Sequence, residues 1–470
     1  MGFMRPGYLS ESSELPFAGL PTFRLALDVF TLTLILVPIY FIGKITYNVF
    51  FHPLAKYPGP KSMAATRIPY MHLILAGQMA QAVKVLHDKY GEVVRIAPDE
   101  LSFINGDAWK AIYGTRPGHG QKPKDYRFYP RPSMALPENA EAGKQALDMV
   151  SWYNFTTFDI IGDLAFGEPF DCLKNSTYHQ WVSIVLSSIK FGAYTNVARR
   201  FPGWKILSKL ITPQKVSDQR NMHMQLTKEK VQGRLMKTNE RPDFFANILQ
   251  HNDTEKGFSI PEMITNGSTL IVAGSETTAT ALSGVTYLLL KNPRVMQKLQ
   301  EEVRGAFKSD DQITLENCNK LEYIHAVLTE ALRMYPPVAV GLPRVVDGQG
   351  DTIAGHFVPG GTIVSVTHMA AYHSAMNFKH PEKFIPERFL NDPEFANDSK
   401  TVMQPFSFGP RNCIGRNLAY VEMRIILARM VFNFDMELDQ PSDEWTDQQC
   451  FLLWEKKPLM VRLTPRTKMQ

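Results

Sequence analysis

The chain has 470 residues, 44% of them hydrophobic and 21% charged, with 30 glycines and 32 prolines. This excludes a disordered polyampholyte, a collagen-like repeat and a small disulfide scaffold. Fifty-one Lys+Arg against 46 Asp+Glu leave a formal charge of +5, too mild for a nucleic-acid arm, and the four cysteines contain no CxxC, which points to a reducing compartment.

The first element in chain order is apolar. From Leu25 to Gly43 the sequence carries a single charge, Asp28. A membrane-spanning helix needs about 20 apolar residues, so this run just reaches across a bilayer. A cleaved signal peptide would need a small-residue site after Gly43, where Lys44 and further apolar residues stand instead, and Glu11 and Glu14 break an acid-poor mitochondrial presequence. Lys44, Lys56, Lys61 and Arg67 behind the run outnumber Arg5 and Arg24 ahead of it, which places the bulk of the chain in the cytosol. The expected organisation is a lumenal segment over 1–24, a single anchor over 25–43, a proline-rich hinge over 44–62 and a body over 63–470. Pro53, Pro58 and Pro60 make the hinge stiff, because proline fixes φ and cannot continue a helix.

The body reads as mainly α with a small β fraction, an α+β fold. Leu321, Ile324, Leu328 and Leu332 recur at helical spacing, and short strands are expected at Val93–Ala97, Leu101–Ile104 and Thr362–Val366. Gly348-x-Gly350 lacks the rest of GxGxxG, so no fused flavin or nicotinamide domain is expected. The segment from Met263 to Leu290 predicts a helix about 42 Å long with Glu276 as its one charge. Its many Ser and Thr residues make it too polar for a second span, and its small and apolar faces suit a protein interior. A lone carboxylate there is costly unless paired or used. Thr277 is placed to bond the carbonyl of Ala273, and Ala273 and Gly274 leave room for close approach to the backbone. An acid–alcohol pair beside a glycine suggests proton delivery; a Ser/Thr-rich packing helix is the competing reading.

The strongest signal is FSFGPRNCIG, Phe406 to Gly415. Cys413 lies in a Gly/Pro-rich loop, two residues after Arg411 and just ahead of an apolar-periodic helix. A helix N-terminus and a nearby arginine both favour the thiolate. Gly409 permits a tight turn, and Gly415 lets a flat ligand lie against the backbone. Zinc would want four closed ligands, which this loop does not offer, and the absence of CxxCH excludes a covalently attached haem.

These residues resemble a family. F-x-x-G-x-R-x-C-x-G, filled here by Phe406, Gly409, Arg411, Cys413 and Gly415, is similar to the haem-ligand signature of cytochrome P450 monooxygenases. AGSETT, Ala273 to Thr278, resembles their distal oxygen-activation motif. Glu330 and Arg333 resemble the family's E-x-x-R, and Pro386 to Phe389 its PERF element. The resemblance implies the cytochrome P450 fold and haem b, with the Cys413 thiolate as axial ligand of its iron. Thr277 and Glu276 would handle protons, Arg411 and Arg344 would contact the propionates, and Phe406 and Gly415 would border the cofactor. Glu330, Arg333 and Arg388 would form a buried network. It also implies electrons from NADPH through a separate flavoprotein reductase, a lipophilic small-molecule substrate, and an endoplasmic reticulum membrane location with the body facing the cytosol. Arg416 fits a basic docking face for that reductase. Trp152–Phe170 and GLPRVV resemble fungal secondary-metabolite hydroxylases of the isotrichodermin hydroxylase-like group.

One interval departs from the pattern. Members of this group carry, after a GHGQ-type stretch (here Gly118–Gln121), a helix with Trp- or His-x-x-x-Arg. Here Trp109 is followed four residues later by Tyr113, and the chain looks shortened around 135–150. A shortened enzyme, a product of an exon or gene-model error, and a haem-free homologue serving as a membrane-bound binding protein compete at this point, as does a member performing epoxidation or ring coupling. Intact Cys413, Thr277 and Glu330 favour descent from a monooxygenase.

Overall fold

In the computed structural model the residues described are 21–115, 121–125, 146–178, 192–200, 214–236, 243–250, 257–439 and 444–466. Most of the expected lumenal segment, and 135–145 of the interval read as shortened, lie outside them. The apolar run folds as one helix, α1 (Pro21–Thr46), which continues past Gly43 and through Pro38. A π-turn, Tyr47–Phe51, extends it before His52 turns to extended backbone. Phe30–Phe51 is long and apolar enough to cross a membrane. The proline-rich connector is therefore His52–Pro60, shorter than the hinge read from the sequence.

Among the described residues nine strands form three small sheets. β1 (Val93–Ala97), β2 (Glu100–Phe103), β7 (Ile363–Val366) and β4 (Arg344–Val345) stand in the order β1-β2-β7-β4. β1 and β2 form an antiparallel hairpin, whereas β2 and β7 run parallel with Glu100 opposite Ile363. Every residue of β1, β2 and β7 is buried, so the sheet is covered on both faces and does not alternate in polarity. β3 (Leu147–Asp148), β9 (Met460–Pro465) and β8 (Phe434–Leu438) form a second sheet, and β5 (Asp351–Ile353) pairs with β6 (His356–Val358) in a third.

Five helices position the site: α2 (Gly106–Tyr113), α3 (Met149–Phe166), α4 (Ile260–Lys291), α5 (Glu322–Met334) and α6 (Arg416–Asn433). α4 spans 32 residues, longer than the 263–290 core expected, because Pro261 in its first turn and a Ser259–Glu262 capping box start it earlier. Several of its buried hydroxyls are satisfied inside the helix: Ser275 donates to the Ile271 carbonyl at 2.5 Å, and Ser283 to that of Ala279 at 2.7 Å. That back-bonding lets a polar sequence be buried at little desolvation cost. Leu282, Val285 and Leu289 of α4 meet Val327 and Leu328 of α5 and Leu427 and Val431 of α6 in the main core. Each such side chain contributes about 1.5–3 kcal/mol on burial.

Candidate functional site

The Cys413 loop is built by its own backbone. Cys413 N–H donates to the Phe406 carbonyl at 2.9 Å and Asn412 N–H to that of Gly409 at 3.0 Å, closing the loop before Ala419 N–H enters α6 by bonding the Gly415 carbonyl at 2.9 Å. Phe406 packs on Tyr420 of α6 with ring centroids 5.1 Å apart. Gly409 has φ +78°, and a Cβ there would lie 2.1 Å from the Tyr113 carbonyl oxygen, so the loop rests on the end of α2 where only glycine fits. Cys413 is exposed and Ile414 is 96% exposed. Partial burial raises the Cys413 thiol, and a hydrogen bond from the Gly415 backbone opposes it. The lowering influence comes from Gly415, the N-cap residue of α6.

On the distal helix, Thr277 Oγ1 donates to the Ala273 carbonyl at 2.7 Å. Ala273 is exposed midway along the helix, two residues before buried Ser275 and Glu276. Gly274 serves a different purpose from the one expected. A Cβ there would lie 2.8 Å from Ile161 Cδ1, so its small size seats α3 against α4. Glu276 is buried, and its partners are Lys456 and Thr280. Adjacent helical residues project about 100° apart, and Glu276 and Thr277 accordingly bond different groups. Thr278 bonds Glu422 of α6, tying the distal helix to the helix that follows the cysteine loop. Burial raises the Glu422 carboxyl to about 7 against the lowering effect of that bond.

Glu330, Arg333 and Arg388 form one cluster with fully buried side chains. Arg333 Nε donates to Glu330 Oε2 at 2.7 Å and its Nη2 to Oε1 at 2.8 Å. Arg388 also donates to Asp398, and Arg333 to the carbonyls of Tyr372 and Pro381. The arginines stack at 5.2 and 5.7 Å from the Phe378 ring. Multiple charge-assisted bonds of this kind repay desolvation only when all members are present.

Arg344 is buried in β4, its guanidinium 5.2 Å from the centre of the Tyr113 ring. Tyr113, at the end of α2, thus supports Arg344 through its ring. Lys124 bridges Arg344 across a strand edge, and its ammonium is pushed below the usual lysine range by burial, then by Arg344 and exposed Arg411. Three cations that disfavour one another suit a group bearing two carboxylates. A Cβ on Gly415 would meet only Cys413 Sγ, at 3.9 Å, leaving the sulfur's side open to a flat ligand. An exposed thiol with a backbone donor, a bare glycine and clustered cations fit a thiolate-ligated haem. Below the loop, a groove of about 610 Å³ is lined by Lys400, Phe406, Arg416, Tyr420 and Arg424, with His325 and Thr329 of α5.

This combination defines a haem-thiolate protein. The family model described as Cytochrome P450 matches residues 134–463. Similar chains include cytochrome P450 monooxygenase astA of Talaromyces wortmannii, 45% identical over 90% of this chain and 94% of the relative. Cytochrome P450 monooxygenase lcsI of Purpureocillium lilacinum is 42% identical over 91% and 92%, and averantin hydroxylase of Dothistroma septosporum 43% over 90% and 88%. The chain belongs to the cytochrome P450 family of monooxygenases, whose members carry a haem-thiolate iron and take electrons from a redox partner. The lcsI alignment runs over 477 positions while covering 91% of these 470 residues, so part of the relative faces gaps in this chain.

Sequence reasoning missed Lys456, Glu422, Asp398 and Lys124. Glu422 had a signal, an isolated acid within the apolar periodicity of α6. Asp398 meets Arg388 across ten residues of irregular chain, and Lys456 and Lys124 are placed by contacts distant in sequence, which no local pattern marks.

Proposed function

We propose that this chain is a membrane-anchored monooxygenase that inserts one oxygen atom from O2 into a lipophilic small molecule, a hydroxylation in secondary-metabolite biosynthesis. The observation that carries this reading is the cysteine loop: an exposed Cys413 beside Gly415, where an added Cβ would meet only the sulfur. Averantin hydroxylase among the relatives supports hydroxylation, and the apolar helix α1 supports a bilayer-partitioned substrate and a place in the endoplasmic reticulum membrane.

Cys413 Sγ would hold the iron, Arg411 and Arg344, with Lys124, would receive the propionates, and Phe406 and Gly415 would border the macrocycle. The haem supplies the oxygen activation that side chains cannot. Thr277 Oγ1, released from the Ala273 carbonyl, presents a proton to the distal face, and Glu276 takes protons up from the interior. The Glu330–Arg333–Arg388 network fixes α5 against the segment leading to the cysteine loop. The groove with Lys400, Arg416 and Arg424 offers a basic face to an acidic flavoprotein that delivers electrons from NADPH. The alignment gap supports an internal shortening around 135–150, with Tyr113 and Arg344 supplying part of the lost propionate contact.

A reduced carbon-monoxide difference spectrum of the full chain in membranes tests this directly. A red-shifted Soret band is expected. Its absence, with folded protein present, would favour the haem-free binding-protein reading.

A further inference from the structure

Glu276 and Lys456 form an ion pair between side chains only 2% and 4% exposed. Lys456 Nζ donates to Glu276 Oε1 and, at 2.7 Å, to Thr280 Oγ1, one turn further along α4. Glu276 Oε2 is buried with no hydrogen-bond partner. An orphaned buried carboxylate oxygen requires an explanation, since leaving such an acceptor unmade is expensive.

Lysine ordinarily keeps its head in water, and its long stem is costly to immobilise. Here the backbone on both sides of Lys456 is clamped. Trp454 Nε1 donates to the Pro336 carbonyl at 2.8 Å and Glu455 N–H to that of Gln449 at 2.8 Å. Trp445 Nε1 donates to the Lys457 carbonyl at 3.0 Å, and Leu459 N–H to Asp148 Oδ1, at the start of α3, at 2.9 Å. The segment is thus held by contacts to several other parts of the fold, and it delivers one ammonium to the middle of α4. The other titratable groups facing Glu276 are phenols. Tyr178 is pushed up to about 12, chiefly by burial, and Tyr335 well above the usual range, so both are neutral at physiological pH.

We propose that Lys456 is the positioning residue of Glu276: it supplies the counter-charge and fixes Oε1, leaving Oε2 as the atom at which the distal helix takes up a proton. A proton bound at Oε2 gives the neutral acid, and its onward transfer restores the carboxylate, with no other bond made or broken. The pairing stands on geometry alone; its use in proton delivery rests on the monooxygenase reading.

The test is infrared spectroscopy of the full chain in phosphatidylcholine nanodiscs near neutral pH, with every protein compared carrying Glu422→Gln so that the carboxyl raised to about 7 adds no band of its own. Lys456→Met is expected to gain the C=O stretch of a protonated carboxylic acid. That band should be absent from the parent and from Lys456→Arg, and lost in Lys456→Met/Glu276→Gln. No band in Lys456→Met, or a band persisting in the double variant, overturns the assignment. If Lys456→Met does not fold but the double variant does, the lone buried carboxylate is the cause and the pairing stands; if neither folds, the lysine acts independently of Glu276 and the proposal falls. With haem and reductase present, peroxide released per NADPH consumed should rise in Lys456→Met and return towards the parent in Lys456→Arg. An infrared band without that rise overturns the proton-uptake role. A parent chain lacking the haem-thiolate spectrum would sink the monooxygenase reading, while the infrared comparison still decides the pairing.

Discussion

Arg388 Nε donates to Glu330 Oε1 at 3.1 Å across 58 residues of chain, so the element at Pro386–Phe389 is pinned to α5 through a single oxygen that Arg333 Nη2 also contacts. Removing Glu330 leaves two guanidinium groups buried without their shared anion.

Glu330→Ala and Arg333→Ala are each expected to cost about 3–5 kcal/mol, roughly ten times an exposed i, i+3 pair. Such a loss takes the segment leading to the cysteine loop with it. Both variants should purify with little haem, read as the ratio of Soret to protein absorbance. Parental haem content in either would refute the role given to this network.

Cys413→Ser should leave stability within about 0.5 kcal/mol, because the exposed sulfur makes few packing contacts. The reduced carbon-monoxide spectrum should lose its thiolate-type band entirely. Parallel melting curves of the two proteins without haem separate loss of a ligand from loss of the fold.

Gly409→Ala places a side chain at φ +78° and a methyl 2.1 Å from the Tyr113 carbonyl oxygen. Strain at a left-handed position costs about 1–3 kcal/mol before the clash is counted. We expect a lowered melting temperature and a cysteine loop displaced from α2, seen as faster alkylation of Cys413 by iodoacetamide. An unchanged alkylation rate would show that the loop does not depend on this contact.

Glu422 makes stability depend on pH. Burial raises its carboxyl to about 7 in the fold against an ordinary value of 4.5. The folded state therefore binds the proton more tightly, and its stabilising contribution is complete below about pH 4.5 and lost as pH rises through about 7, amounting to about 3 kcal/mol. Glu422→Gln should melt like the parent near pH 4.5 and at a higher temperature near pH 8. A constant difference between the two across that range would exclude the shift.

The parts of this molecule that depend on neighbouring residues were legible in the sequence. The apolar helix α1, the existence of α4, the Thr277–Ala273 bond and the approximate strand positions follow from hydropathy, periodicity and i−4 chemistry. β2 begins at Glu100 instead of Leu101 because pairing with β7 sets its register, which composition does not encode. Gly274 illustrates the limit: the sequence shows that bulk is missing, but only the fold shows that Ile161 fills the space. Lys456 was invisible for the same reason, since it gains its meaning from a carboxylate 180 residues away.

That separation also has a cost in time. A ribosome adding about 5–20 residues per second needs roughly ten to forty seconds to travel from Glu276 to Lys456. Throughout that interval α1 can already lie in a bilayer while α4 carries a negative charge with no counterion to accompany it inward. The charge in the middle of the long helix can therefore be paired only once the clamped segment around Trp454 has been made.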